Sequence, residues 1–271
     1  PGLESTDDDG VTLTALIERY GSRLTGLPEG TEFPLLLKLL AAKGTLSVQV
    51  HPDDEYAKAH ENKLGKTEAW VILHAEEGAS LLYGIREGVT IDDLRRALTG
   101  GEDVEPLIQR IPVKAGDVFY MPAGMVHAIG GGILLYEIQQ SSDVTYRLWD
   151  FNRVNAKGEK RPLHIQQSLD VIRPELKGLR AHMPEHPAQE ITRLLDVPAF
   201  TLDCVAADGA CILPAAETFR VLTALEPLTL RWLEGEMELK AGDTVLLPAA
   251  CPEVGLEGHG RALVSGVGRN A

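Results

Sequence analysis

The sequence has no long apolar run. No stretch approaches the ~20 uninterrupted apolar residues that a membrane-spanning helix needs, and no signal peptide opens it. Cysteine is scarce: Cys204, Cys211 and Cys251 make an odd set without a Cys-x-x-Cys pair. That weighs against a disulfide framework and fits a reducing cytoplasm better than secretion. Basic residues are in deficit, with 26 Lys and Arg against 40 Asp and Glu, for a net charge of −14. Nonspecific binding to nucleic acid or to an anionic membrane needs a basic face, so neither partner is expected. A phosphorylated substrate would have to be held by a few local cations. The chain opens Pro1-Gly2 without Met, as processing, trimming or an incomplete sequence would leave it.

The 271 residues suffice for one large domain or two small ones, and 44% hydrophobic against 24% charged is the balance of a globular protein with a proper core. Leu13, Leu16, Ile17 and Tyr20 share a helix face that stops at Gly21. Strands are expected at Phe33–Leu40, Leu46–His51, Glu68–His74, Ser80–Tyr83, Val118–Met121, His127–Ile129, Leu134–Gln139 and Tyr146–Trp149. Thr90 should cap a short helix with Leu94 and Leu98 inward, ending at Gly100-Gly101. Leu163–Arg173 reads as helix, stopped by Pro174. Residues 174–195, with Pro174, Pro184 and Pro187, read as a connector. Strands then recur at Phe200–Val205, Arg220–Thr223, Leu228–Leu233, Thr244–Leu247 and Ala262–Ser265. Many short strands with Gly and Pro turns predict a mostly-β barrel or jelly roll with a few short helices.

An internal repeat sharpens this. The run from Val113 to Ala123 contains Lys-Ala-Gly-Asp and, after an apolar stretch, Pro-Ala. The run from Leu239 to Ala249 repeats both at identical spacing. Each is a turn, an apolar strand, then a proline where pairing ends. Two copies suggest two similar β-domains: 1–173 with an N-terminal helical segment, and 196–271.

Chemistry concentrates in the first copy. In Ser47-Val-Gln49-Val-His51-Pro-Asp-Asp, residues two apart share a strand face, so Ser47, Gln49 and His51 point together. Lys66 and Glu68 are likewise two apart, and His127 follows the repeated turn. One amide, two imidazoles and one carboxylate suit a divalent first-row metal. The bland alternative is a solvated outer face with satisfied histidines. In the second copy Glu253 stands at the offset of His127 and no Gln-x-His occurs, so that half is expected to lack a metal. Asp53 and Asp54 read as a helix cap. His60, His74, His164, His182, His186 and His259 show no ligand spacing.

Four runs in one order resemble the type I mannose-6-phosphate isomerases, metal-dependent enzymes of the cupin fold. They are Ser47 to Asp54, Gly65-Lys-Thr-Glu-Ala-Trp70, Pro122 to Ile129, and Glu137 to Arg147. The resemblance runs from about Phe33 to about Ile172, more weakly beyond, and is to the short bacterial form. It implies two cupin-like jelly-roll barrels, the second degenerate. The family's N-terminal Trp-Gly-Gly segment has no counterpart here. The resemblance implies Gln49, His51, Glu68 and His127 as ligands of one zinc ion, and Arg147 as the catalytic arginine. It places Lys66, Asp143 and Glu137 in the pocket, with Lys38 and Ser47 at the substrate phosphate. The activity it implies is interconversion of mannose 6-phosphate and fructose 6-phosphate through an enediol. A Lewis acid and a fixed guanidinium would stabilise the charge that develops, and a carboxylate such as Glu137 would move the proton. If the Arg147 segment is a strand, Asp143 and Arg147 share a face and would hold each other. Structural ion pairing is the alternative for Lys66, Asp143 and Glu137. Two other functions use the same residues: a cupin dioxygenase on a two-His-one-Glu iron site, and a sugar-binding bicupin without catalysis. Oligomeric state is not legible.

Overall fold

The computed structural model describes residues 5–185 and 190–269. The chain separates into two compact units, Leu35–Pro184 and the combination of Pro1–Pro34 with Glu185–Ala271. Among the described residues every strand pairing is antiparallel, and the protein is mostly β.

The opening helices are α1 (Leu13–Tyr20) and α2 (Ser22–Thr25). Thr12 caps α1 by accepting from the Ala15 amide, and Gly21, at φ 54°, ends it as the periodicity predicts. The sequence reading placed this segment with the first β-domain; it groups instead with the C-terminal part. The reason is visible in its contacts. The Leu24 and Arg23 carbonyls accept from Ala249 and Ala250, the Thr25 carbonyl accepts from Phe219, and Phe33 stacks on Phe219.

The unit Leu35–Pro184 holds β1 (Leu35–Ala42), β2 (Val48–Val50), α3 (Asp54–Glu61), β3 (Glu68–Ala75), β4 (Ser80–Ile85), α4 (Ile91–Gly100), β5 (Ile108–Pro112), β6 (Asp117–Met121), β7 (His127–Ile129), β8 (Ile133–Gln140), β9 (Tyr146–Trp149), α5 (Ile165–Val171) and β10 (Leu179–His182). They form two five-stranded sheets, ordered β1-β8-β3-β6-β10 and β5-β4-β7-β2-β9. Between the sheets Trp70, Ile72, Phe119, Met121 and Leu135 from the first pack with Leu81, Tyr83, Ile111 and Ile129 from the second. The other face of the second sheet, with Val48, Val50, Tyr146 and Leu148, is covered by Leu94, Ala97 and Leu98 of α4 and by Leu169 and Val171 of α5. Alternation along β2 and β9 therefore sends Gln49 and Arg147 into the space between the sheets. Thr90 and Asp93 form a capping box on α4, and Asp53 caps α3.

The C-terminal part holds β11 (Ile191–Asp196), β12 (Phe200–Leu213), β13 (Arg220–Ala224), β14 (Leu228–Trp232), β15 (Gly235–Leu239), β16 (Thr244–Leu247) and β17 (Val254–Val267). All seven join one sheet over a core that includes Val205, Leu213, Leu222, Leu230, Leu247 and Val264.

The repeated turn is real in three dimensions. Gly116 (φ 90°) and Gly242 (φ 93°) take the same left-handed conformation. The Asp117 and Asp243 carboxylates accept from the Lys114 and Lys240 amides at 3.0 and 2.8 Å. After each following strand, the Pro122 and Pro248 carbonyls accept from Met125 and Cys251. Other expectations need correction. The connector is not plain: β10 lies between Pro174 and Pro184, β11 begins at Ile191, and β10 pairs with β6. β12 and β17 run fourteen residues each, more than twice the expected length. Residues 206–213 and 254–261, outside the expected strands, pair with each other and extend them as a long two-stranded ribbon.

Candidate metal centre and active site

Three ligand-type side chains converge between the sheets of the Leu35–Pro184 unit. Glu68 opens β3, His127 opens β7, and His51 follows β2 directly. They are 0%, 1% and 2% exposed, and their candidate ligand atoms lie within 4.8 Å of one another. His127 Nε2 is 3.1 Å from Glu68 Oε1, and His51 Nε2 is 3.5 Å from Glu68 Oε2. The backbone fixes both rings. His51 Nδ1 donates to the Val144 carbonyl at 3.0 Å, and His127 Nδ1 donates to the Met125 carbonyl at 2.9 Å. A carbonyl only accepts, so each ring donates from Nδ1 and turns its Nε2 inward, toward Glu68.

His51 Nε2 and both Glu68 oxygens are buried without a properly formed hydrogen bond. Buried acceptors facing one another are costly unless a cation sits among them. Two imidazoles and one carboxylate are a donor set that a divalent cation satisfies, so these residues fit a metal. Lys66, buried, sets its Nζ 3.0 Å from Glu68 Oε2. Burial, then the Lys66 charge, holds His51 well below the usual imidazole range, so it is neutral at pH 7. Burial opposes the Glu68 charge, yet Lys66 and the two imidazoles outweigh it and hold Glu68 well below the usual carboxylate range.

The other sequence-predicted residues fall into two rows and two outliers. Across β4, β7, β2 and β9, Tyr83, His127, Gln49 and Arg147 are side by side. The Gln49 amide reaches to 3.4 Å from His127 Nε2. Arg147 donates from Nη1 to the Pro162 carbonyl at 3.0 Å, while its Nε is buried without a partner. Across β1, β8 and β3, the row is Lys38, Glu137 and Trp70. Lys38 Nζ is 2.6 Å from Glu137 Oε1 and also donates to Gln139, and Trp70 Nε1 donates to Glu137 Oε2 at 3.0 Å. Ser47 is buried just before β2. Asp143 is the clear displacement: its side chain is 78% exposed and pairs with Lys63 at 2.6 Å. The expected Asp143–Arg147 pair does not form, because Ser142 turns the chain, its Oγ accepting from Val144, and β9 starts only at Tyr146.

The model of the family "Phosphomannose isomerase type I, catalytic domain" matches residues 4–68. Mannose-6-phosphate isomerase ManA of Bacillus subtilis (strain 168) is 41% identical over 263 residues, 94% of this chain and 82% of the relative. The chain belongs to the type I mannose-6-phosphate isomerase family. A mannose-6-phosphate isomerase of Streptococcus mutans is 50% identical over 163 residues, 60% of this chain and 51% of its own. The crystal structure of the Bacillus subtilis mannose 6-phosphate isomerase superposes with a TM-score of 0.85 at 33% identity, over 95% of this chain and 82% of that one.

Sequence reasoning missed several polar residues of this region. Trp70 is two residues from Glu68, and Gln139 two from Glu137, so strand alternation places each on the same inward face. Asp150, Arg153 and Arg161, beyond the end of β9, gave no such signal, because only the returning chain brings Arg161 back to Asp150.

Proposed function

We propose that this member of the family interconverts D-mannose 6-phosphate and D-fructose 6-phosphate. The carrying observation is the buried His51–Glu68–His127 cluster, whose candidate ligand atoms lie within 4.8 Å of one another in a chain of this family. In this reading the three side chains, with Gln49 as a weaker fourth ligand, hold one divalent metal, which the family resemblance makes zinc. When bound, such an ion acts as a Lewis acid toward the carbonyl and hydroxyl oxygens of an open-chain sugar. The chain's own groups do the rest. Lys66 fixes the Glu68 carboxylate as an ionised ligand. Glu137, oriented by Lys38 and Trp70, takes the proton from C2 and returns it to C1 once Lys38, half-exposed, swings off Oε1. Arg147 stays charged at any working pH and supplies fixed positive charge to the developing enediolate. Asp143, exposed and paired with Lys63, is assigned no part in the proton transfer.

The fold reading that goes with this is cupin-like. The two facing sheets of Leu35–Pro184 form the metal-bearing jelly roll, and the C-terminal β-part, built on the repeated Lys-Ala-Gly-Asp turn, is a related domain without a metal. No helix of the described residues is long and apolar enough to cross a membrane. Free Cys204, Cys211 and Cys251 agree with a cytoplasmic enzyme acting on a soluble phosphosugar.

The test is a coupled assay of mannose 6-phosphate turnover on purified protein, with oxygen uptake followed on the same preparation. Isomerisation without oxygen consumption supports the reading. Oxygen uptake without isomerisation would replace it with the dioxygenase.

A further inference from the structure

Gln139, two residues beyond Glu137 on β8 and opposite Glu68 of β3, is fully buried, and its amide is engaged at three points. Its Nε2 donates to the Gln140 carbonyl at 2.8 Å and to the Ser142 carbonyl at 2.7 Å. Its Oε1 accepts from Lys38, whose Nζ also pairs with Glu137. A glutamine amide donates twice and accepts from a cation while carrying no charge of its own. The turn it braces is tight: the Ser142 amide donates to the Gln140 carbonyl at 2.7 Å.

That turn reaches the loop before β3, where Lys66 stands. Ser142 Oγ donates to the Leu64 carbonyl at 2.7 Å. Gln140 pairs with Thr67 twice: its amide donates to the Thr67 carbonyl at 3.1 Å, and its Oε1 accepts from the Thr67 amide at 2.9 Å. Gln140 Nε2 also donates to Asp54 Oδ1 at 3.1 Å, and the same oxygen accepts from the Gly65 amide at 2.8 Å. The Lys66 amide itself donates to the Pro52 carbonyl at 3.0 Å. Gly65 lies so close to the start of α3 that a Cβ there would meet the Asp53 carbonyl carbon at 2.4 Å. The backbone is thus pinned on both sides of Lys66, whose Nζ is 3.0 Å from Glu68 Oε2. The Lys63–Asp143 pair spans the same two segments, but an exposed pair of this kind contributes little.

We propose that Gln139 is a positioning residue for both lysines of the site. It acts on Lys66 through the turn from Gln140 to Ser142, and on Lys38 directly. The direct hold serves the proton transfer. Glu137 takes a proton only when Lys38 leaves its Oε1, and Gln139 Oε1 keeps hold of the ammonium when it does. A neutral amide suits this place. A carboxylate there would turn acceptor oxygens on the Gln140 and Ser142 carbonyls and leave the turn unbraced. The role in proton transfer rests on the isomerase reading; the brace on the Lys66 loop does not.

The experiment compares wild type with Gln139→Met, Gln139→Glu, Ser142→Ala and the double variant Gln139→Met with Ser142→Ala, all loaded with zinc. It measures kcat and KM for mannose 6-phosphate, zinc content, and hydrogen exchange of residues 64–67 against that of α4. Gln139→Met keeps the shape and removes the three bonds. It should lower kcat on the order of 10–100-fold, with KM moving less and zinc retained. Gln139→Glu should do no better, although it offers Lys38 a full charge. Ser142→Ala loses one bond to the Lys66 loop and should lower kcat less. The double variant should lose less than the product of the two single losses, because both act along one path. Exchange at residues 64–67 should quicken in every variant while α4 is unchanged. Wild-type kcat in Gln139→Met or Gln139→Glu, zinc lost together with activity, or losses that simply multiply would overturn the assignment. If Gln139→Met does not fold, Ser142→Ala decides: unchanged kcat and exchange overturn it. If wild type shows no mannose 6-phosphate turnover, the isomerase reading fails by itself. Faster exchange confined to residues 64–67 then still supports the brace, and unchanged exchange overturns it.

Discussion

Glu68 and Lys66 are a buried ion pair beside two imidazoles, and each depends on the other. Removing one member of such a pair leaves an uncompensated buried charge, at a cost of about 3–5 kcal/mol. Glu68→Gln should therefore destabilise even the metal-free protein by that order in urea unfolding, besides abolishing metal retention. A loss under about 1 kcal/mol would mean that Lys66 has another partner or reaches water. Arg147 is different, since among the described residues its one side-chain hydrogen bond goes to the Pro162 carbonyl. Arg147→Ala should keep its metal and its fold but lose on the order of 10²–10³ in kcat, as when one preorganised donor is removed. Arg147→Lys should recover only part, since an ammonium lacks the planar fork. Loss of metal together with activity would recast Arg147 as structural support. At this scale the sequence was informative where function follows strand alternation. Gln49 with His51, and Glu68 with Lys66, were legible because two-residue spacing puts side chains on one face, and His127 because it follows the repeated turn. Asp143 was misplaced by the same rule, because a turn at Ser142 interrupts the strand that the rule assumes.

The elements that position the site are set by local chemistry. The turn before β6 brings the chain to Pro122 and then His127, and Gly116 at φ 90° makes it. A Cβ there would meet the His182 ring at 2.7 Å. Gly158 has a similar φ, 79°, but its Cβ would meet nothing within 4 Å. Gly116→Ala should cost more than Gly158→Ala, the latter only the ~1–2 kcal/mol of left-handed strain. Thermal melts of both variants check this, and equal shifts would show that His182 moves aside freely. Helix caps and Gly-Asp turns were legible because they depend on single residues. The ribbon of β12 and β17 was not, because Ala206–Ala210 and Gly255–Gly260 have turn-like composition and only their mutual pairing makes them strand. The grouping of α1 and α2 with the C-terminal part was equally invisible, since it rests on carbonyls accepting from residues some 200 positions away.

For the whole molecule, the buried cluster ties stability to pH. His51 is held below its unfolded value of ~6.5, so the unfolded chain binds a proton that the folded one refuses. Stability of the metal-free protein should therefore be full above pH ~6.5 and fall as pH drops below it. Glu68, also depressed, adds a second loss as pH falls below ~4.3. Urea midpoints between pH 8 and pH 4 read this directly, and a flat profile from pH 7 to pH 5 would contradict a neutral, buried His51. The central claim is that one metal at His51, Glu68 and His127 makes this chain a mannose 6-phosphate isomerase. The measurement is a titration of zinc into chelator-stripped protein, with mannose 6-phosphate turnover as the readout. Activity should be near zero at the start, rise linearly and stop at one equivalent, and His127→Ala should show no such rise. Full turnover in the stripped protein, or an unaltered titration in His127→Ala, would contradict it.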